Sequence, residues 1–144
     1  FSYSGLENIP AGFFDFGENI KMMITIFAGC EKLKEIPEGL FDNLPQITRF
    51  QSTFLNCTSL TSIPTALFDN CKKLNIIQYM FKGCTGLTGE SPYTMVDGVK
   101  VHLYERNDHL DIFTKIPLKD AKGTFAECTG LSDYASMPDK YKEN

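Results

Sequence analysis

The two histidines, His102 and His109, lie in a polar stretch that also holds Glu105, Arg106 and Asp108. Imidazole and carboxylate groups bind metals when several converge from fixed positions, which on a helix needs a spacing of three or four residues. The two histidines are seven residues apart and lack this spacing. We therefore interpret them as solvated polar residues and predict no metal site.

Other catalytic arrangements are missing from the sequence. It has no nucleophile elbow, phosphate-binding loop, CxxC motif or suggestive cysteine and histidine pair. Asp42 and Asp69 recur with a 27-residue step in a Phe-Asp-Asn turn, where Asp and Asn commonly bond to nearby backbone groups. We therefore assign both carboxylates a structural role and predict no catalytic residue, no cofactor and no enzymatic activity.

The cysteines follow a regular spacing. Cys30, Cys57 and Cys84 are separated by the same 27-residue step, and Cys71 lies midway between the last two. This regularity indicates a repeated packing position, in which a thiol behaves as a small buried hydrophobic group. Disulfides between neighbouring units are allowed at a spacing of roughly 5 Å. Because parallel side chains in one column point the same way, however, we favour free thiols.

A 27-residue repeat must position all of these residues. Each unit has two similar halves of 14 and 13 residues, and a half is too short to close a coil, whereas coils of about 20 to 29 residues are typical of leucine-rich repeats. The sequence therefore predicts an α/β leucine-rich-repeat solenoid with 27-residue coils of short strands and short helical turns. The step joins Leu6, Leu33, Leu60 and Leu87; Ile9, Ile36 and Ile63; Phe14, Phe41 and Phe68; and Phe27, Phe54 and Phe81.

Within each coil, residues 33–36 and 60–63 are predicted to form short strands that stack about 4.8 Å apart. A proline follows each of them, and it suits both the turn after a strand and the first position of a helical segment such as residues 65–71. The second half, such as residues 74–81, is expected to run back along another face and end in a helical turn.

The repeat fails between residues 90 and 123. The step from Phe81 would place the next Phe-x-x-Cys at position 108, but it starts at Phe125, so an insertion is implied. Within it, Asp97-Gly98 predicts a two-residue hairpin turn of type I′. We expect Met95, Val99, Val101 and Leu103 to face the core, and Lys100, His102 and Tyr104 to face solvent.

The domain organisation follows from this break. One domain spans residues 1–144, with regular coils at 1–89, the irregular insert at 90–123, and a terminal half-repeat with cap at 124–144. The insert either covers the open C-terminal end of the coils or forms a recognition loop, and both roles are compatible.

Charge and hydropathy exclude two classes of partner. The net charge is −4 with a pI near 5.1, and the 14 Lys and Arg residues are scattered along the sequence, so we predict no binding to nucleic acid. No apolar run approaches the roughly 20 residues needed to span a bilayer, so we predict no transmembrane segment. Because the sequence starts at Phe1 without Met or a signal-peptide pattern, we expect a preceding region.

Two strings carry a family resemblance: residues 54–64, FLNCTSLTSIP, and residues 80–87, MFKGCTGL. They resemble the BspA-like leucine-rich repeats of bacterial cell-surface proteins of the Bacteroides type, over about residues 4–90 and again at 124–131. The resemblance implies a secreted or cell-surface adhesion protein, attached through a lipid anchor or an upstream extracellular domain. No catalytic residues come with it.

In the second half of the repeat, the residues predicted to point outwards are more apolar than those in the first half. They suggest a contact patch for a protein or glycan ligand. The leading hypothesis is therefore a cell-surface binding module. The alternatives are that the insert or another domain covers these columns, or that the chain is a structural spacer or cap with no ligand of its own. The predicted ligand-binding residues are Met22, Arg49, Gln51, Ile76, Gln78 and Tyr79.

Overall fold

The computed structural model describes residues 1–110 and 116–144. Its strands are β1 (Met22–Ile24), β2 (Arg49–Gln51), β3 (Tyr93–Val96) and β4 (Val99–His102), and its 3-10 helices are η1 (Leu103–His109), η2 (Tyr134–Ser136) and η3 (Asp139–Tyr141). Turns make up most of the remaining described chain. No helix in these two ranges is long and apolar enough to cross a membrane.

Equivalent positions of successive units pair side by side and in parallel. β1 pairs with β2 so that Met22 lies opposite Arg49, and the ladder continues through bridges from Arg49 to Ile76 and from Ile76 to Asp120. The first two steps equal the 27-residue repeat, whereas the third is lengthened by the insert. The additional residues are thus looped out between the third and fourth rungs, as the spacing of the Phe-x-x-Cys motifs predicts.

The strands predicted at residues 33–36 and 60–63 are wrong. No strand forms there, and at these positions a single backbone hydrogen bond joins each unit to the next, such as that from the Thr61 amide to the Lys34 carbonyl at 3.4 Å. The reason is the apolar spacing: Leu33 and Ile36 are both buried three residues apart, whereas a strand alternates with a period of two. Exposed and buried residues do alternate in β1 and β2, where the ladder forms.

A column of stacked aromatic rings runs through the core. The rings of Phe27, Phe54, Phe81 and Phe125 follow one another with centroids 5.4, 5.5 and 5.6 Å apart and interplanar angles of 13°, 5° and 2°. All four side chains are fully buried. Offset stacking of aromatic rings adds to the free energy gained by burying them, so this column ties the units into one core.

Aromatic residues also close both ends of the column. Phe1 stacks on Phe27 with centroids 5.9 Å apart, and Tyr141 of η3 stacks on Phe125 at 6.5 Å. Tyr141 is itself buried, whereas Phe1 is exposed. The two ends therefore differ: the C-terminal end is covered by η3, and the N-terminal end presents an aromatic ring to solvent.

The insert contains the hairpin that its sequence predicts. β3 and β4 pair antiparallel, and Val96 and Val99 flank a two-residue turn in which Asp97 and Gly98 have φ of 49° and 80°. Positive φ at both central residues defines the type I′ turn and matches the right-handed twist of the strands.

The predicted orientation of the hairpin is only partly right. Val101 and Leu103 are buried, but Met95 and Val99 are 54% and 63% exposed. Across a two-residue turn Met95 pairs with Lys100, which places it on the opposite face from Val101. Val99 lies on the same face as Val101, but it adjoins the turn and extends beyond the core.

Candidate functional site

The ladder face is the outward surface of the parallel ladder. Its first column is set by the strand register, and its second by hydrogen bonds such as those from the Thr25 amide to the Gln51 carbonyl and from the Tyr79 amide to the Lys122 carbonyl, at 3.0 and 2.9 Å. The first column contains Met22, Arg49, Ile76 and Asp120. The second column contains Ile24, Gln51, Gln78 and Lys122.

A third column marks the edge of the ladder face. Thr25, Ser52, Tyr79 and Gly123 all have a left-handed backbone, with φ of 56°, 52°, 56° and 61°. This conformation is uncommon for residues other than glycine, and here it turns each unit from the ladder towards the phenylalanine column. Residue types alone do not predict it, because only the last of the four positions is a glycine.

The ring of Tyr79 is held in place at this edge. A Cβ on Gly123 would lie 2.5 Å from Cδ1 of Tyr79, so the tyrosine ring rests directly on the glycine backbone. On the same ring, the Lys82 ammonium lies 5.2 Å from the centroid, within cation–π range. Tyr79 therefore presents a half-buried ring of fixed position to the ladder face.

All six predicted ligand-binding residues meet on this surface. Met22, Arg49 and Ile76 are neighbours in the first column, Gln51 and Gln78 are neighbours in the second, and Tyr79 follows Gln78 at the edge. Met22 is exposed and the other five are half-buried.

The described part of the insert packs elsewhere. The Tyr93 amide donates to the Thr65 carbonyl at 2.8 Å, and Arg106 reaches the Cys71 carbonyl, both on the turn side of the third unit. What adjoins the third rung on the ladder face is the fourth rung itself, from Lys119 to Gly123. The described residues of the hairpin and η1 thus leave the ladder face uncovered.

A second polar cluster surrounds His102, and the prediction that this histidine is solvated is wrong. Its side chain is 15% exposed, with Nδ1 2.8 Å from Glu105 and Nε2 2.9 Å from Glu90. Asp133 lies 3.6 Å from Nε2, and the imidazole stacks on Tyr104 with centroids 5.2 Å apart. These residues form the His102 cluster, which joins the hairpin to the C-terminal segment.

The charge state of His102 follows from this geometry. Burial alone would lower the pKa of His102, but the hydrogen bonds to Glu90 and Glu105 and the charge of Asp133 outweigh it and raise the pKa. Hydrogen bonds from Lys100 and then His102 lower the pKa of Glu90. The cluster is therefore held together best with the imidazole protonated, since each ring nitrogen then donates to a carboxylate.

Arg106 of η1 is a buried cation that the sequence did not single out as structural. Its Nη2 donates to the carbonyl of Cys71 at 2.7 Å, and desolvation lowers the pKa of its guanidinium. Thr94 of β3 donates to the Asp69 carboxylate at 2.6 Å, so the hairpin and η1 both anchor to the third unit. The Asp69 carboxylate thus accepts a hydrogen bond from the hairpin, whereas its position in the Phe-Asp-Asn turn predicts bonds to nearby backbone groups.

The thiols are structural as well. All five cysteines are free and buried, and Sγ of Cys57, Cys84 and Cys128 donates to the carbonyls of Phe27, Phe54 and Phe81 at 3.0–3.1 Å. Burial raises the pKa of Cys71 and of Cys128 to about 12. Such thiols are poor nucleophiles, because the thiolate is the reactive form.

Among the residues that the structure describes, clefts lie at two places away from the ladder face. One lies between the hairpin and the third unit and includes Phe68, Asp69 and Arg106. The other lies between Glu35–Glu38 and residues 62–65. Within residues 1–110 and 116–144, no group of three or more His, Cys, Asp or Glu side chains is arranged to hold a metal ion.

Comparison with known proteins gives limited similarity. No family model matches the chain, and no curated protein matches it. A solved leucine-rich repeat protein of T. pallidum is 18% identical over 78% of this chain, with a TM-score of 0.23. The match spans about six tenths of that protein, 61% of its length. A TM-score of this size does not establish a shared fold, so the architecture described above rests on the geometry of this chain alone.

Proposed function

We propose that this chain is a short leucine-rich-repeat solenoid that acts as a non-enzymatic binding or adhesion module, recognising a protein or glycan through the ladder face. The observation that carries this proposal is the placement of Met22, Arg49 and Ile76 on consecutive hydrogen-bonded rungs that the described insert leaves uncovered. Repeat proteins use extended surfaces of this kind to bind partners.

The register supports the solenoid architecture. Each unit donates backbone hydrogen bonds to the next at matching positions, for example from Phe27 to Thr53, from Phe54 to Met80 and from Phe81 to Thr124, at 2.8–2.9 Å. Each unit thus contacts its neighbours through the same bonds and the same stacked ring. The insert then serves as a cap: it anchors to the third unit through Arg106 and Thr94.

The location follows from the resemblance of residues 54–64 and 80–87 to BspA-like repeats. We assign the protein to the surface of a bacterium of the Bacteroides type, or to its secreted proteins, attached through a lipid anchor or an upstream extracellular domain. An exposed rigid ladder suits a module that meets external ligands.

The test is a binding screen of the purified chain by biolayer interferometry against extracellular matrix proteins and a glycan array. The double variant Gln51→Glu/Gln78→Glu alters the centre of the ladder face. As a matched control, Thr61→Glu/Ser62→Glu adds the same charge at exposed positions in the first half of the third unit, away from the ladder face. We expect a ligand whose binding is lost in the ladder variant and kept in the control. If the folded wild-type chain binds nothing in the screen, the proposal is overturned and a structural spacer is favoured.

A further inference from the structure

The ladder face is basic, although the protein as a whole is acidic. Arg49 and Lys122 lie in its outward columns, where Asp120 is the one carboxylate, and the exposed Lys21 and Lys119 lie in the column just before them, on the two end rungs. The net charge of the chain is −4. The cations are scattered in the sequence, and the successive steps of the ladder bring them together.

These cations are available to a ligand. Lys21, Lys119 and Lys122 are exposed and Arg49 is half-buried. None of the four forms an ion pair with a residue that the structure describes, in contrast to Lys34 and Lys100, which pair with Glu7 and Glu90. A surface of unpaired cations attracts anions and raises their local concentration.

The groups between the cations suit hydroxyl-rich ligands. The amides of Gln51 and Gln78 are half-exposed on neighbouring rungs, and each amide both donates and accepts hydrogen bonds. The ring of Tyr79, fixed by Gly123 and Lys82, adds a flat apolar patch at the edge.

The shape of the surface favours an extended ligand. The ladder face is built from consecutive parallel rungs, and the clefts at the hairpin and between Glu35–Glu38 and residues 62–65 share no residue with it. A polymer lying across the rungs, which are about 4.8 Å apart, meets Arg49 and Gln51 on the second rung, Gln78 on the third and Lys122 on the fourth.

Building on the proposed function, we propose that the ligand is an acidic polysaccharide carrying carboxylate or sulfate groups. Arg49 and Lys122 donate charge-assisted hydrogen bonds to its anionic groups, Gln51 and Gln78 bond its hydroxyls, and Tyr79 packs against one sugar ring.

The test measures binding to polygalacturonate, dextran sulfate, neutral dextran and poly-glutamate at about 50 mM salt, where exposed charges are weakly screened. The variant Arg49→Gln/Lys122→Gln removes two cations from the ladder face. The control variant Lys32→Gln/Lys34→Gln removes two cations from elsewhere on the surface, so that its net charge equals that of the ladder variant. We expect both acidic polysaccharides to bind more tightly than either other polymer. We expect about a tenfold or greater loss in the ladder variant, little change in the control, and weakening with salt.

The outcomes separate this inference from the proposed function. Equal loss in both variants, or equally tight binding of poly-glutamate, would overturn the assignment to an acidic polysaccharide. Failure of both acidic polysaccharides to bind would also overturn it, and would leave the proposed function standing if the broader screen yields a ligand sensitive to Gln51→Glu/Gln78→Glu. If no binding is found in either the broad screen or the polymer measurement, both proposals are overturned.

Discussion

The ring of Phe81 stacks on that of Phe125 with centroids 5.6 Å apart and planes within 2°, although the whole insert separates them in the sequence. The preceding contact, between Phe54 and Phe81, has nearly the same geometry across one ordinary repeat. The Cys128 thiol also donates to the Phe81 carbonyl at 3.0 Å, just as Cys84 donates to Phe54. The insert thus leaves the aromatic column intact, because its extra residues leave and re-enter the repeat at equivalent positions.

This column makes a first prediction. Phe54 lies in its middle with a ring on either side and no exposed surface. We expect Phe54→Ala to lower the free energy of unfolding by about 3–5 kcal/mol, because it removes a large buried side chain and leaves a cavity. Urea denaturation measures the change. Phe16→Ala is the control, since Phe16 is 99% exposed and its loss is expected to change stability by less than about 0.5 kcal/mol. Similar losses in the two variants would contradict the stacked core.

The edge of the ladder face makes a second prediction. Gly123 has φ of 61°, and an added Cβ would lie 2.4 Å from the Glu143 carbonyl oxygen and 2.5 Å from the Tyr79 ring. We expect Gly123→Ala to cost about 2–4 kcal/mol of stability, from backbone strain and overpacking together. Gly98→Ala isolates the strain, because Gly98 has φ of 80° but no atom within 4 Å of its Cβ position. It is expected to cost only about 1–2 kcal/mol. Equal destabilisation would show that the contact with Tyr79 is unimportant.

The sequence predicted those features that depend on short-range patterns. The positions of the phenylalanine column and the turn at Asp97-Gly98 follow from the 27-residue step and from local turn chemistry, and both are present. The predicted strands lie in the wrong half of the unit, because the residue types around Leu33 and Ile36 suit a strand but their spacing does not. Their spacing of three instead places both side chains in the core.

The His102 cluster could not be predicted in the same way. Glu90 and Asp133 lie well before and well after His102 in the sequence, and the hairpin and the C-terminal segment bring them together only in the folded chain. Nothing in the local spacing of His102 signals this. Similarly, the basic character of the ladder face depends on Lys119 and Lys122, which join it only because the insert is looped out.

The thiols make a third prediction. Because all five cysteines are buried out of reach of a reagent, we expect fewer than one in five thiols to react with a disulfide reagent at pH 8 in the native protein, although the neighbouring Cys84 thiol lowers the pKa of Cys57. All five are expected to react in denaturant. Ser136→Cys provides the control, since residue 136 is exposed and one added thiol is expected to react at once. Rapid reaction of several native thiols would contradict the buried cysteine columns.

The His102 cluster makes the last prediction, a pH dependence of stability. Because the folded-state pKa of His102 is raised, its contribution is fully present below the ordinary pKa of about 6.5 and is lost as the pH rises through the folded value. The Glu90 carboxylate has a lowered pKa, so its contribution is lost only as the pH falls through that lower value. His102→Gln is therefore expected to lower the urea midpoint more at about pH 5.5 than at about pH 8.5. His109→Gln is the matched control, since it removes a histidine that forms no ion pair with the described residues. A His102→Gln effect that is the same at both pH values would mean that the imidazole contributes through packing on Tyr104 rather than through its charge.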